Sequence, residues 1–297
     1  MLMNEIAGGA APNAASNDGA PLDLWRLDRK ASGRTLLMGV VNVTPDSFSD
    51  GGDHFAAEAA IAAGRLMAAE GADILDIGGE STRPGARAVD AETELARVLP
   101  VIAALAEVGA PPLSIDTYKA EVAAAALAAG ARIVNDVTGL RRDPSIASVA
   151  AAHDAVLIIG HWDTEAPSDA AHIIDDMLRF FAGAIDFARI SGVPDRRMVL
   201  DPGIGFGKGL SENLALIAGL DRLAALGYPV LVGASRKRFI GALTGREPKE
   251  RLAGTLAAHC LAAAHGASIV RAHDVAAHRD ALAVTDAILA AREPLTP

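Results

Sequence analysis

Six times along this chain an alanine-rich, helix-like stretch ends at a glycine and a short apolar run follows. Gly71-Ala-Asp leads into Ile74-Leu-Asp-Ile, and Gly109 leads through two prolines into Leu113-Ser-Ile-Asp. Gly130-Ala-Arg leads into Ile133-Val-Asn, and Gly192 leads through Pro194 and a polar turn into Met198-Val-Leu-Asp. Gly227-Tyr-Pro leads into Val230-Leu-Val-Gly, and Gly266-Ala-Ser leads into Ile269-Val-Arg. Glycine accepts the left-handed conformation that closes a helix, so it belongs just past the helix end. The runs that follow are short, continuous and β-branched, as parallel strands buried on both faces must be. Leu36–Val43 and Ala155–Gly160 supply two more strands without the glycine, which makes eight.

Amphipathic stretches lie between these strands, at 56–70, 91–107, 174–190, 211–226, 249–265 and 275–291. Strands alternating with helices predict an α/β fold with a parallel sheet and right-handed crossovers. Eight such units in a chain of 297 residues predict a closed (β/α)8 or TIM barrel, with an open doubly wound sheet as the other topology. Residues 1–24 are rich in Ala, Asn and Gly and have neither a basic start nor a compact apolar segment, so they read as a flexible tail rather than a signal peptide. Residues 25–297 then form the single barrel domain.

With 51% hydrophobic residues the chain can bury a large core, yet no apolar run is long enough to span a bilayer. The net charge of −10 argues against a broad nucleic-acid surface, so any anion site has to be a local gathering of Arg, Lys and backbone N–H groups. Cys260 is the only cysteine, which excludes an internal disulfide and a cysteine-based zinc cluster. A soluble, cytoplasmic protein is expected, with neither a membrane nor a nucleic acid as partner.

In a barrel the loops after the strands make the active site, at the C-terminal ends. Nearly every strand here ends in a chemically capable residue: Asn42, Asp116, Asn135-Asp136, His161, Asp201, then Ser235-Arg-Lys-Arg238 and Arg271-Ala-His-Asp274, while Asp76 lies on the second strand. Any one of these could be a helix cap or a turn residue. As a set they place carboxylates and an amide on strands three, four and six. Arg83, Arg236, Lys237, Arg271 and His273 stand at strand ends two, seven and eight. Barrel closure sets strand eight beside strand one, so Asn42, Arg271 and His273 should converge on a phosphate or metal–phosphate pocket.

Familiar phosphate and hydrolase motifs do not explain these residues. Gly203-Ile-Gly-Phe-Gly-Lys-Gly lacks Walker spacing, and Gly209 follows the lysine where Ser or Thr is needed. Gly233-Ala-Ser-Arg-Lys lacks the second glycine of a nucleophile elbow, and no His-Glu-x-x-His is present. His259, Cys260 and His265 fall on an alanine-rich helix and read as packing or surface residues.

The same runs carry a family resemblance. Met38-Gly-Val-Val-Asn-Val-Thr-Pro-Asp-Ser-Phe-Ser-Asp-Gly-Gly52 resembles the first loop of the dihydropteroate synthases, and Gly78-Gly-Glu-Ser-Thr-Arg-Pro-Gly-Ala86 their second. Ser114-Ile-Asp-Thr117, Asn135-Asp-Val137, Asp201-Pro-Gly-Ile-Gly-Phe-Gly-Lys208, Ser235-Arg-Lys237 and Arg271-Ala-His-Asp-Val275 follow in the family's order. The resemblance implies a (β/α)8 barrel, usually a homodimer that uses Mg2+. It implies condensation of 6-hydroxymethyl-7,8-dihydropterin diphosphate with 4-aminobenzoate to 7,8-dihydropteroate and diphosphate in folate synthesis, with sulfonamides competing for the aminobenzoate site. By resemblance, Asp116, Asn135, Asp201 and Lys237 line the pterin pocket. Asn42, Arg83, Arg271 and His273 take the diphosphate, with Mg2+ near Asn42. Thr82, Pro84, Phe48, Phe206 and Ser235 shape the aminobenzoate pocket. Asp116, Lys237, Arg271 and His273 are the expected catalytic groups, and Asp46 is placed to orient or deprotonate the amine.

Two other readings of the same barrel are a pterin-binding methyltransferase, which does not need Arg83 and Arg271-x-His273, and a catalytically silent paralogue, which need not keep both loops. The sequence departs from the family after strand five. The family ends that strand Met-His-Met, whereas this chain has Gly160-His-Trp162. The expectation is a changed wall on the pterin face, with Gly160 in place of a methionine and Trp162 as a candidate substitute.

Overall fold

The computed structural model describes residues 27, 32–44, 52–81, 88–162 and 169–291. The expected tail at 1–24 and the positions of Asp46, Phe48, Thr82, Arg83 and Pro84 lie outside the described residues.

Eight strands follow one another: β1 (Leu36–Asn42), β2 (Ile74–Gly78), β3 (Leu113–Asp116), β4 (Ile133–Asp136), β5 (Val156–Ile159), β6 (Met198–Leu200), β7 (Leu231–Val232) and β8 (Ile269–Ala272). All ladders are parallel, in the order β6-β5-β4-β3-β2-β1-β8-β7. A parallel bridge between Leu200 and Val230 joins the two ends, so the sheet closes into a barrel. The expected placement of strand eight beside strand one is found, with Met38 opposite Arg271.

The helices are α1 (Gly52–Ala69), α2 (Ala91–Glu107), α3 (Ala120–Ala128), α4 (Ser145–Ala152), α5 (Ile173–Ile190), α6 (Leu210–Ala218), α7 (Leu220–Ala224), α8 (Arg238–Thr244), α9 (Leu252–Ala264) and α10 (Val275–Ala290). They bury one stripe each. In α5 the buried residues Ile173, Met177, Phe181, Ile185 and Ala188 recur every three or four positions, the spacing that lines one helical face. The glycines predicted to close helices do so in the left-handed region, with φ of 95° at Gly71 and 121° at Gly130.

The single helix expected over 211–226 is two helices, α6 and α7, which meet at Gly219. A Cβ at Gly219 would stand 3.1 Å from Ile174 Cδ1, so a larger residue here would have to push the Ile174 side chain of α5 aside.

The side-chain period of two along each strand separates two cores. Outward residues such as Leu37, Leu75, Ile115, Val134, Leu157 and Val270 join the helices in one large cluster. Inward residues Leu36, Met38, Ile74, Ile133, Val156, Ile158, Val199, Leu231 and Ile269 fill the barrel with Leu27. That apolar plug is the floor on which the site rests.

Candidate active site

Two positions beyond the plug, the inward residues turn polar. Ile74 is followed by Asp76, Ile133 by Asn135, and Ile269 by Arg271; Ser114 and Asp116 on β3, and Asp201 just past β6, join them. Asp76 is fully buried, Asn135 and Asp201 nearly so. Arg271 donates Nε–H to Asp76 Oδ2 at 2.6 Å and Nη2–H to Asp116 Oδ2 at 2.7 Å. Asn135 Nδ2 also donates to Asp76 Oδ2, at 3.0 Å. One guanidinium thus serves two carboxylates, and burial pushes the Asp116 carboxyl up to about 7 against the pull of Arg271.

The remaining polar atoms of this floor have no partner. Asp76 Oδ1, Ser114 Oγ, Asp116 Oδ1 and Asn135 Oδ1 are all buried without a hydrogen bond among the described residues. A buried acceptor left unpaired costs about 1–3 kcal/mol, so four together mark a place built for the donors of a ligand.

Lys237 forms the cationic side. Its Nζ stands 3.9 Å over the centre of the Phe206 ring. Burial, and then Arg271, push this amine down to about 8, while the carboxylates of Asp201 and Asp116 hold its charge. Burial also raises the Asp201 carboxyl, opposed by the Gly203 N–H at 2.8 Å and by the charges of Lys237 and Arg271.

The β7 and β8 loops are tied to each other. Ser235 Oγ and His273 Nδ1 are 2.9 Å apart, and the His273 N–H also points at Ser235 Oγ at 3.3 Å. Arg236, in a left-handed conformation at φ 58°, pairs with Asp274 at 2.5 Å. Its charge therefore holds the loops together; Lys237, Arg271 and His273 are the other basic side chains of this rim. Asn42 stands half-buried at the end of β1, opposite Gly78.

Across the barrel, Lys208 fastens the β6 loop. Its Nζ donates to the carbonyls of His161 at 3.0 Å, Gly203 at 3.1 Å and Phe206 at 3.1 Å, and faces His161 Nδ1 at 3.0 Å. Arg141 Nη2 faces the other ring nitrogen at 3.1 Å. Burial and these two cations push the imidazole down to about 3, so His161 is neutral. The loop motif that resembles a phosphate loop is here a lysine-stapled turn.

The expectation for strand five needs correcting. A Cβ at Gly160 would meet Val137 Cα at 2.6 Å and Asp136 O at 2.7 Å. Position 160 is therefore pressed against the backbone after β4, and its glycine is required by that approach rather than leaving a gap in the pterin wall. Trp162 does reach the site, with its ring 5.4 Å from that of Phe206. Beyond it opens a cleft of about 150 Å³ lined by Thr138, Arg141, Arg142 and Trp162.

The structure thus brings together Asp116, Asn135, Asp201, Lys237, Phe206 and Arg271, and sets Ser235 and His273 on the adjoining rim. Asp76 and Ser114 belong to the same floor and received no role from the sequence; their inward parity with Ile74 and Asp116 was the signal that could have found them.

The pterin binding enzyme family model matches residues 38–273. The dihydropteroate synthase of a Synechocystis species is 46% identical over 261 residues, which are 86% of this chain and 90% of that protein. The Xanthomonas albilineans dihydropteroate synthase solved with 4-aminobenzoic acid superposes with a TM-score of 0.83 at 52% identity, over 86% of this chain and 94% of that one. The same enzyme in complex with 7,8-dihydropteroate gives a TM-score of 0.80 at 50% identity, with the same shares covered. The chain belongs to the dihydropteroate synthase family of pterin binding enzymes.

Proposed function

We propose that this chain condenses 6-hydroxymethyl-7,8-dihydropterin diphosphate with 4-aminobenzoate, forming 7,8-dihydropteroate and diphosphate. The observation that carries the reading is the buried floor of unpaired acceptors, Asp76 Oδ1, Asp116 Oδ1 and Asn135 Oδ1, with Asp201 beside them. A pterin edge presents an amino group and ring N–H donors, and a ring without them would leave these acceptors unsatisfied. The related enzyme solved with 7,8-dihydropteroate supports the same substrate class.

In the reaction the bond between the pterin methylene and the diphosphate oxygen breaks, and the leaving group keeps the electron pair. The aniline nitrogen then forms the new C–N bond and releases one proton. Positive charge on the pterin faces Asp116 and Asp201. Negative charge on the diphosphate faces Arg271, His273 and, outside the described residues, Arg83. No covalent nucleophile is required. Phe206 and Ser235 border the aminobenzoate site, and the family resemblance assigns to it Phe48, Thr82, Pro84 and, for the amine, Asp46, which lie outside the described residues. Sulfonamides compete for that site.

Among the described residues no group of three His, Cys, Asp or Glu side chains could hold a metal. Asn42, half-buried at the end of β1, would offer an amide oxygen to an Mg2+ that comes with the diphosphate, a hard ligand of the kind Mg2+ prefers. Held there, Mg2+ would supply charge neutralisation for the leaving diphosphate.

Among the described residues no helix is long and apolar enough to cross a membrane. A cytoplasmic homodimer fits the family reading. Leu210 and Leu214 on α6, Leu243 on α8 and Leu252 and Leu261 on α9 are exposed.

The test is joint measurement of diphosphate release and dihydropteroate formation with both substrates and Mg2+. Stoichiometric appearance of the two, lost in Arg271→Ala, is the expected result. Pterin binding with no turnover would favour the silent-paralogue reading.

A further inference from the structure

Behind the β7 and β8 loops lie two histidines that the proposed mechanism does not use. His259 on α9 and His278 on α10 are completely or almost completely buried, and His259 Nδ1 lies 2.9 Å from His278 Nε2. The pair is bonded at both ends to loop backbone. The Ala234 N–H points at His259 Nε2 at 2.9 Å, and His278 Nδ1 lies 2.7 Å from the Asp274 carbonyl.

These contacts fix every proton. An amide N–H can only donate, so His259 Nε2 must be a bare acceptor. The proton of His259 then sits on Nδ1 and is donated to His278 Nε2. His278 in turn carries its proton on Nδ1 and donates it to Asp274, whose carbonyl can only accept. The result is a one-way chain, Ala234 to His259 to His278 to Asp274, in which both rings are neutral and no donor or acceptor is left over. Burial holds both imidazoles below their ordinary range, with His273 and the partner ring adding to it at His259 and the Asp274 charge opposing it at His278.

The two ends of this chain adjoin the rim of the site. Ala234 immediately precedes Ser235-Arg-Lys237, and Asp274 immediately follows Arg271-Ala-His273. One turn before His259 on the same helix, Thr255 Oγ1 accepts the Arg236 N–H at 3.1 Å. Helix α9 therefore grips the β7 loop by two backbone N–H groups, and α10 grips the β8 loop by a carbonyl. The front of the same joint is closed by Ser235–His273 and Arg236–Asp274.

We propose that His259 and His278 are positioning residues that set the spacing of the β7 and β8 loops, so that Arg271 and His273 meet a diphosphate as one preformed anion site. The inference rests on the reading of Arg271 and His273 as diphosphate ligands. A preformed site spends no binding energy on ordering its loops, and that saving is lost when the chain is cut.

The test compares wild type, His259→Leu and His259→Gln, because glutamine keeps one acceptor and one donor while leucine keeps neither. Inorganic diphosphate and 6-hydroxymethylpterin, which lacks the diphosphate, are titrated separately by calorimetry. The expected result is about tenfold weaker diphosphate binding in His259→Leu, unchanged pterin binding, and recovery of most of the loss in His259→Gln. Equal weakening of both ligands, or unchanged diphosphate affinity in folded His259→Leu, would overturn the proposal. Spectra of wild type labelled with 15N at histidine test the chain without any ligand. Both rings must be Nδ1–H tautomers, and an Nε2–H tautomer for either sinks the inference even if the leucine variant does not fold. Wild type that carries both tautomers yet binds no inorganic diphosphate would instead remove the anion-site reading, and the positioning role with it.

Discussion

Arg271 on β8 reaches across the barrel mouth to Asp116 on β3, with Nη2 2.7 Å from Oδ2. The same guanidinium holds Asp76 through Nε, so one cation is shared between two buried carboxylates. This sharing joins the two halves of the proposed site. The residue expected to take diphosphate is also the one that orients the acceptors for the pterin. Its planar fork makes both bonds in one fixed geometry, which the freely rotating ammonium of a lysine does not impose.

Because burial pushes the Asp116 carboxyl up to about 7, its ionisation falls within the working range. Only the carboxylate accepts freely from a pterin N–H. Affinity for 6-hydroxymethylpterin should therefore rise between pH 6 and pH 8, and Asp116→Asn should flatten the rise. The linked stability has the opposite slope. A carboxyl raised above its unfolded value of about 3.9 stabilises the fold at low pH, and that contribution is lost as pH climbs through 7. Denaturation at pH 5 and pH 8 on both proteins checks the sign.

Lys237 is pushed down to about 8, so its charge fades on the alkaline side. Turnover should fall above pH 8, and the fall should move to higher pH in Lys237→Arg, since a guanidinium stays charged. An unchanged alkaline limb in that variant would assign the fall to another group.

Lys208 donates to three carbonyls from a nearly buried position. Lys208→Met leaves them without their donor. A loss of about 3 kcal/mol in chemical denaturation is expected, with the damage centred on the β6 loop. A stability change below about 0.5 kcal/mol, the size of an ordinary surface substitution, would mean that the staple is not formed in solution.

At Gly160 the prediction reverses what the sequence suggests. Restoring a methionine should not improve pterin binding, because even the Cβ of Gly160→Ala would stand 2.6 Å from Val137 Cα. Gly160→Ala should cost about 1–3 kcal/mol of stability, as overpacking against backbone does. A fully stable alanine variant with tighter pterin binding contradicts this account.

Much of this was legible in the chain. Glycine closures and β-branched runs located all eight strands, because helix ends and doubly buried strands leave local signatures. Strand-end residues gave Asp116, Asn135, Asp201, Lys237 and Arg271. What local pattern could not show was pairing. That Arg236 spends its charge on Asp274, that Lys208 binds carbonyls, and that His259 meets His278 depend on the angle at which elements cross. Gly160 misled for the same reason, since the backbone that crowds it comes from the neighbouring strand.

The central claim is that the unpaired acceptors above the barrel plug bind the pterin edge. Its most direct test is calorimetric titration of 6-hydroxymethylpterin into wild type and Asn135→Leu, a change of similar volume that removes the amide from the floor. The account predicts binding to wild type and a loss of at least about 30-fold in the variant, the equivalent of about 2 kcal/mol for an unpaired buried edge. Equal affinity in the two folded proteins would contradict it, and would place the pterin somewhere other than on Asp116, Asn135 and Asp201.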